Sequence, residues 1–315
     1  MFLTSRRPLL SSLLLAGNAS KVAATSLGGP ACYGLDQNAE ASAFRAPLPP
    51  APPAKESLAR AGSARLWYQD TGGDGTPVVF VHAATGSGQC WGYQMAAFTK
   101  AGHRAIAYSR RGYRGSDRGT SDDANNDVDD LLALVDFLRL DRFHLVATAG
   151  GAVVAAAFAT RPIGKRLVSL TLACSTLLLP KEQWGDFAPL DDFPQWSGLP
   201  HDFMELGPAY RTANPAGTAV WNDLIARSFG DNPRRDGATM MRAFGAVKSA
   251  ADLQRITAPT LFIAGDADLF APAPLMKYIS SLVPSSRLAI ISGAGHSAYW
   301  ERPDVFNRIV TDFMT

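Results

Sequence analysis

Residues 143–160 read FHLVATAGGAVVAAAFAT, and this stretch decides the fold. Phe143–Ala147 reads as a strand. It passes directly into a turn of small residues, Ala147-Thr148-Ala149-Gly150-Gly151-Ala152, and then into a predicted helix, Gly151–Thr160. A strand turning sharply into a helix is half of a βαβ unit, so a parallel sheet is expected.

The same rhythm continues on both sides. Upstream, predicted strands cover 63–70, Val78–His82 and Ala105–Tyr108, with helices at Trp91–Lys100 and Asp127–Leu138. In the second helix, Val128, Leu131, Leu132, Val135 and Leu138 fall at helical spacing. Downstream, strands are expected at Leu167–Ala173, Thr260–Ala264 and Arg287–Ile291, and helices near Pro274–Leu282 and Pro303–Phe313. Strands alternating with helices give an α/β fold with right-handed crossovers. The rhythm breaks only at about 176–248, where tryptophans and phenylalanines gather with no clear strand. This reads as a helical lid insertion in one domain spanning 58–315.

The segment before that domain reads as an address. Arg6-Arg7 precedes a short apolar run, Leu9–Leu15, and Ala41-Ser42-Ala43 is a small-residue cleavage site. The pattern resembles a twin-arginine export signal over residues 1–43, with a periplasmic or secreted protein as the expectation; without a working signal the protein stays in the cytoplasm. Residues 44–57 contain APLPPAPPA at 46–54, a Pro-rich spacer.

Composition narrows the function. The chain has 315 residues, 47% of them hydrophobic and 18% charged, with a net charge of +2. That is ordinary globular usage and gives no general reason to expect nucleic acid as a partner. No apolar run reaches about 18 residues, so no membrane span is expected. The three cysteines, Cys32, Cys90 and Cys174, lack metal-ligand spacing. No metal or organic cofactor is implied.

Four motifs stand at the ends of the predicted strands. His82-Ala83-Ala84-Thr85-Gly86-Ser87 follows the second, and Ser109-Arg110-Arg111-Gly112-Tyr113-Arg114-Gly115-Ser116 follows the third. Ala147–Ala152 is the strand–helix elbow. Finally, Gly265-Asp266-Ala267-Asp268 and Gly293-Ala294-Gly295-His296 follow the last two strands. In these motifs and their order the chain resembles the α/β-hydrolase superfamily, its lid-bearing, esterase- and lactonase-like members in particular, over about 63–315. The resemblance implies a mostly parallel central sheet flanked by helices. It also implies roles: Ala84 and Gly150 supply the two oxyanion-hole N–H groups, His296 is the base, and Asp268 holds it, with Asp266 as the alternative acid. Two positions depart in mild ways, Ala83 for a glycine and Ser109 for an aspartate. The Ser109–Ser116 loop is structural in the family; a basic anion site is the other reading. His82 equally reads as a buried core histidine, and Cys174 as a small buried hydrophobe.

The decisive departure is the nucleophile. In G-x-S-x-G the serine sits at the elbow, and here that position is Ala149, which has no hydroxyl and cannot form an acyl-enzyme. A His/Asp pair without the serine can activate water directly, or take a proton from the substrate. The expected function is therefore hydrolysis of a small apolar ester, lactone or related carbonyl substrate. The alternatives are a cofactor-free lyase, isomerase or oxygenase using the same pair, or a ligand-binding protein without catalysis. Trp184, Trp196 and Trp221 are the candidates for lining an apolar pocket beneath the lid; the other reading packs them into the core.

Overall fold

The computed structural model of the chain describes residues 31–33, 44–119, 127–187, 198–234, 239, 243–244 and 247–315. Nine strands form one sheet: β1 (Ala31–Tyr33), β2 (Lys55–Ala61), β3 (Ala64–Asp70), β4 (Pro77–Val81), β5 (Arg104–Tyr108), β6 (Phe143–Thr148), β7 (Leu167–Ala173), β8 (Thr260–Gly265) and β9 (Ser286–Ile291). The order across the sheet is β1-β9-β8-β7-β6-β4-β5-β3-β2. β2 and β3 form an antiparallel hairpin, and β3 runs antiparallel to β5. Every other pairing is parallel.

The alternation of side chains along the strands gives two cores, one on each face. Val79, Val81, Leu145 and Ala147 point to one of them, and Val78, Phe80 and Val146 to the other. Helices α1 (Gly92–Lys100), α2 (Asp127–Phe137) and α3 (Gly150–Ala159) follow β4, β5 and β6. The short helices α4 (His201–Glu205), α5 (Pro208–Ala213), α6 (Pro215–Ala226) and α7 (Ala250–Leu253) lie between β7 and β8. The chain finishes with α8 (Ala273–Ser281), α9 (Ala298–Glu301) and α10 (Pro303–Met314). Leu131 of α2, Val153 of α3 and Ile279 of α8 belong to the first core, Phe98 of α1 and Phe306 of α10 to the second. α3 is buried along nearly its whole length, because its alanines let it pack closely beside the sheet. Gly151 shows how closely: a Cβ there would stand 2.4 Å from the carbonyl oxygen of Val81 and 2.5 Å from that of His82.

The folded body starts earlier than the expected boundary at 58. β2 begins at Lys55, and its hairpin turns on Gly62-Ser63, with Gly62 at φ 58°. A two-residue turn with a positive φ matches the twist of the strands it joins. The Pro-rich segment lies against the body. Phe44 is buried, edge-on to Tyr210 at 6.4 Å between ring centroids and 5.1 Å from the Arg302 guanidinium. The Tyr93 hydroxyl donates to the carbonyl of Ala46 at 2.7 Å. Still earlier, β1 pairs with β9. The Arg6-Arg7 signature and the Ala41–Ala43 site lie outside the described residues.

Between β7 and β8 the chain forms short helices, two of which start at a proline. Pro208 and Pro215 stand in the first turns of α5 and α6, where a missing N–H is harmless. Asn214 caps α6 by accepting from the Gly217 amide at 2.8 Å. Among the described residues no helix is long and apolar enough to cross a membrane.

Candidate active site

Parallel strands present their carboxyl ends on one side of the sheet, where ligands bind in such folds. Ala149 follows β6 and Asp268 follows β8; His296 stands in the loop after β9. Ala149 and His296 line one cavity of about 320 Å3, whose wall also includes Ala84 and Gly150. Val153, Leu178, Phe244 and Phe270 make much of the remaining surface apolar.

His296 and Asp268 are in direct contact. The imidazole Nδ1 lies 2.9 Å from Oδ1 and 3.0 Å from Oδ2 of Asp268. Asp268 is held in turn by the amides of Phe270 and Ala271, which donate to its Oδ1 at 2.8 and 3.0 Å. Nδ1 therefore carries a proton toward the carboxylate, and Nε2 is left to act as base. Among the described residues Nε2 has no hydrogen-bond partner. Burial presses the imidazole pKa down, but the field and hydrogen bond of Asp268 outweigh it and the net direction is up. For Asp268 burial pushes the other way; the charge and hydrogen bond of His296, with the two amides, win and hold it below the usual range. Asp266 turns elsewhere. Its carboxylate takes the Ser292 hydroxyl and the Gly293 amide at 3.0 and 2.6 Å, so it shapes the His296 loop and leaves the acid position to Asp268.

Ala149 occupies the elbow with φ 50° and ψ −121°. A positive φ strains any residue with a Cβ. The surroundings impose it: the Ala149 amide donates to the Ala173 carbonyl at 2.9 Å, and its carbonyl accepts from Ala152 at 3.0 Å. The turn thus keeps its sharp geometry with a methyl group at its tip. Behind it, α3 directs its N-terminal amides toward the cavity, an arrangement that favours negative charge. The two expected oxyanion donors are neighbours, since a Cβ on Gly150 would stand 3.2 Å from the amide nitrogen of Ala84.

The loop that carries Ala84 is fixed by buried polar contacts. The Arg110 amide donates to Nε2 of His82 at 3.0 Å, so the other ring nitrogen, Nδ1, holds the proton and donates to the Ala83 carbonyl at 2.7 Å. Arg110 Nη2 also donates to that carbonyl at 3.1 Å. The Tyr113 hydroxyl donates to the Ala84 carbonyl at 2.8 Å. His82 is thus a buried supporting residue. Two of the three arginines in the Ser109–Ser116 loop are taken up internally, Arg110 and Arg111 being buried in ion pairs with Asp127 and Asp130 at 2.7 and 2.6 Å.

The tryptophans are placed differently from the pocket reading. Trp184 is 7% exposed and donates its indole N–H to the Leu179 carbonyl at 2.8 Å; Trp221 is 1% exposed in the second core. Neither lines the cavity beside His296. Large apolar rings contribute more when fully buried, and here the core took them. Trp196 lies outside the described residues. Cys174 is buried and lines the cavity, with its thiol pushed up by burial, which suits a small hydrophobe more than a nucleophile.

Sequence reasoning missed several wall residues. Phe244 and Phe270 supply the apolar surface, Phe270 standing 4.8 Å from the His296 ring between centroids. Glu205, from α4, is the unexpected one: a carboxyl that is buried yet lines the cavity. Burial pushes it above the ordinary glutamate range, against the pull of His296 and of the Thr85 hydroxyl. Its sequence context, the last residue of a short helix that also carries Asp202, gave no signal. A larger cavity of about 540 Å3 adjoins the first through Thr85 and is bordered by His201, Asn222 and Arg234. It contains no part of the His296–Asp268 pair. Among the described residues no group of three or more His, Cys, Asp or Glu side chains could hold a metal ion.

Comparison with known proteins bears on the family and the fold. The profile of the alpha/beta hydrolase family matches residues 78–309. The chain is similar to a non-heme chloroperoxidase of Kitasatospora aureofaciens, 27% identical over 269 residues, covering 79% of this chain and 95% of the other. It is also similar to a 2-hydroxy-6-oxononadienedioate/2-hydroxy-6-oxononatrienedioate hydrolase of Pseudomonas putida, 28% identical over 270 residues, 79% of this chain and 91% of the other. Among solved structures, a bromoperoxidase from Bacillus anthracis superposes with a TM-score of 0.66 at 22% identity, over 82% of this chain and 99% of the other.

Proposed function

Since this chain belongs to the alpha/beta hydrolase family, we propose that it hydrolyses a small apolar ester, lactone or related carbonyl compound without a serine nucleophile. His296 takes a proton from water at Nε2, and Asp268 orients the ring and steadies the imidazolium that forms. The water adds to the carbonyl carbon, and the Ala84 and Gly150 amides receive the developing oxyanion. The methyl of Ala149 marks the place a serine hydroxyl would fill and leaves room there for that water.

The observation that carries this reading is the contact of His296 with Asp268, 2.9 Å between Nδ1 and Oδ1, at the wall of a mainly apolar cavity. A pair oriented in this way leaves one basic nitrogen free where substrate binds. The similarity to a hydrolase of Pseudomonas putida supports hydrolysis as the reaction class. The apolar walls, with Phe244 and Phe270, support a small apolar substrate.

Ala149 itself favours a second reading. Without a hydroxyl, His296 can take a proton from the substrate, as in a cofactor-free lyase, isomerase or oxygenase. Product analysis in 18O-labelled water separates the two. Hydrolysis places one labelled oxygen in the product acid; an oxygenase takes its oxygen from O2, and an isomerase takes none. The absence of label from every product, with turnover intact, sets hydrolysis aside.

Arg6-Arg7 ahead of Leu9–Leu15 supports export to the periplasm or beyond. Cell fractionation of the full chain tests this, with Arg6→Lys/Arg7→Lys as the control that should stay inside.

A further inference from the structure

Glu205 closes α4 and is 5% exposed. The mechanism above does not use it, yet it lines the same cavity as His296 and Ala149. Its position is set from both sides of the reacting centre. Its main-chain carbonyl accepts from the amide of Ser297 at 3.0 Å, and Ser297 follows the base. Its Oε2 accepts from the Thr85 hydroxyl at 3.1 Å, and Thr85 follows the oxyanion residue Ala84. That leaves Oε1. Nδ1 of His201 lies 4.0 Å from it, too far to donate a hydrogen bond. Among the described residues Oε1 has no partner.

A buried carboxyl with one oxygen occupied and one free is suited to carry a proton. His201 shares its helix, while His296, Asp268 and Arg234 act on it from other elements. Cys90 and Tyr299 in turn feel its charge. Burial and Asp268 favour the neutral acid, whereas His296, the Thr85 hydroxyl and Arg234 favour the carboxylate, and the net direction is up.

We propose that Glu205 is the general acid of the reaction, donating its Oε1 proton to the oxygen that leaves the carbonyl carbon. The proposal rests on the hydrolytic reading. Water forms a bond to the carbonyl carbon as His296 takes one of its protons. The bond from that carbon to the leaving oxygen then breaks, and the electron pair stays on the oxygen, which takes the proton of Glu205. The products are a carboxylic acid and an alcohol, or the hydroxy acid from a lactone. His296 returns its proton through solvent to the Glu205 carboxylate, which closes the cycle with no net gain or loss. The division of labour has a physical motive: the base faces the water and the acid faces the opposite group, so neither ring nor carboxyl must move between steps.

The test compares the parent and Glu205→Gln on two esters with the same acyl group. One has a p-nitrophenyl leaving group, which departs without a proton. The other has an alkyl leaving group, which needs one. The substitution should reduce kcat/KM on the alkyl ester by about 10²-fold or more relative to its effect on the aryl ester, and the alkaline limb of the alkyl-ester pH profile should vanish. Equal losses on both esters, or loss on neither, would overturn the acid role while leaving hydrolysis in place. A parent inert on both esters overturns the hydrolytic reading and this proposal with it. If Glu205→Gln fails to fold, Thr85→Val serves. Losing the hydroxyl that steadies the carboxylate should move the alkaline limb upward, and an unmoved limb counts against the proposal.

Discussion

The guanidinium of Arg110 donates to the carboxylate of Asp127 at 2.7 Å, and both side chains are wholly shielded from solvent. The pair sits beneath the loop that carries Ala84, because Arg110 also donates to the Ala83 carbonyl at 3.1 Å and to the Tyr113 hydroxyl at 3.2 Å. Breaking a buried pair by removing one partner leaves the other charge uncompensated, at about 3–5 kcal/mol. Asp127→Ala should therefore lower the unfolding free energy by about that much in urea titration, and activity should fall with it. A variant as stable as the parent would show that the pair does not hold the loop.

At the elbow, the strain of Ala149 is open to measurement. With φ at 50°, the residue sits where glycine has no penalty and alanine pays roughly 1–2 kcal/mol. Ala149→Gly loses a small buried methyl, about 0.8 kcal/mol, and gains unfolded-state freedom, about 0.4–1 kcal/mol; relief of strain should offset both and leave its stability close to the parent's. Thermal melting reads this directly. A lower melting temperature would mean that the surroundings do not force the turn.

Glu301 ties two segments together. Its buried carboxyl accepts the Gly207 amide at 2.8 Å and the Gly295 amide at 3.0 Å, joining the segment after α4 to the His296 loop. Burial pushes its pKa up to about 8, against those amides. The folded state thus keeps a proton that the unfolded chain releases near pH 4.5, so this group erodes stability as pH rises from there to about 8. Glu301→Gln cannot ionise, and its unfolding free energy should decline less across that window, by a few kcal/mol at most. Equal slopes for parent and variant would refute it. Asp268, whose pKa is lowered, acts in the opposite sense: its contribution is present at neutral pH and lost as acid protonates it in the fold.

His296 must be neutral to act as base, and its pKa lies above the ordinary histidine value of 6.5. The pH profile of kcat/KM should rise through a limb above pH 6.5, where the imidazolium gives up its proton. Asp268→Asn removes the charge that raises the pKa. The limb should move down, and the rate should fall roughly 10²–10⁴-fold as the ring loses its orientation. A limb that stays in place would separate the two residues functionally.

Much of the fold was legible because its strands are short apolar runs bounded by turn residues. β7 coincides with its expected range, Leu167–Ala173, and β4, β5, β6, β8 and β9 differ from theirs by a residue at one or both ends. β3 was expected at 63–70 and runs Ala64–Asp70, but its hairpin partner β2 was missed because a proline-rich segment precedes it, although Gly62-Ser63 is itself a two-residue turn signal. In the site, the positions of residues at strand ends were readable because the fold dictates where those ends converge: His296 contacts Asp268, and Ala149 shares a cavity wall with His296. Glu205, Phe244 and Phe270 were not readable. They come from loops and short helices whose approach to the cavity depends on tertiary packing, as in the contact between the Glu205 carbonyl and the Ser297 amide. The tryptophan expectation failed for a related reason. An aromatic residue in an insertion has two apolar places to go, and for Trp184 and Trp221 the core is the one the structure adopts.

The central claim is that His296 works without a serine. Its most direct test is kcat/KM on a short-chain chromogenic ester for the parent, His296→Ala and Ala149→Ser, measured together. The account predicts that the parent turns over and that His296→Ala falls by at least about 10²-fold. It is contradicted if His296→Ala matches the parent, or if the parent is inert and Ala149→Ser alone is active, since the site would then be a serine hydrolase lacking one oxygen.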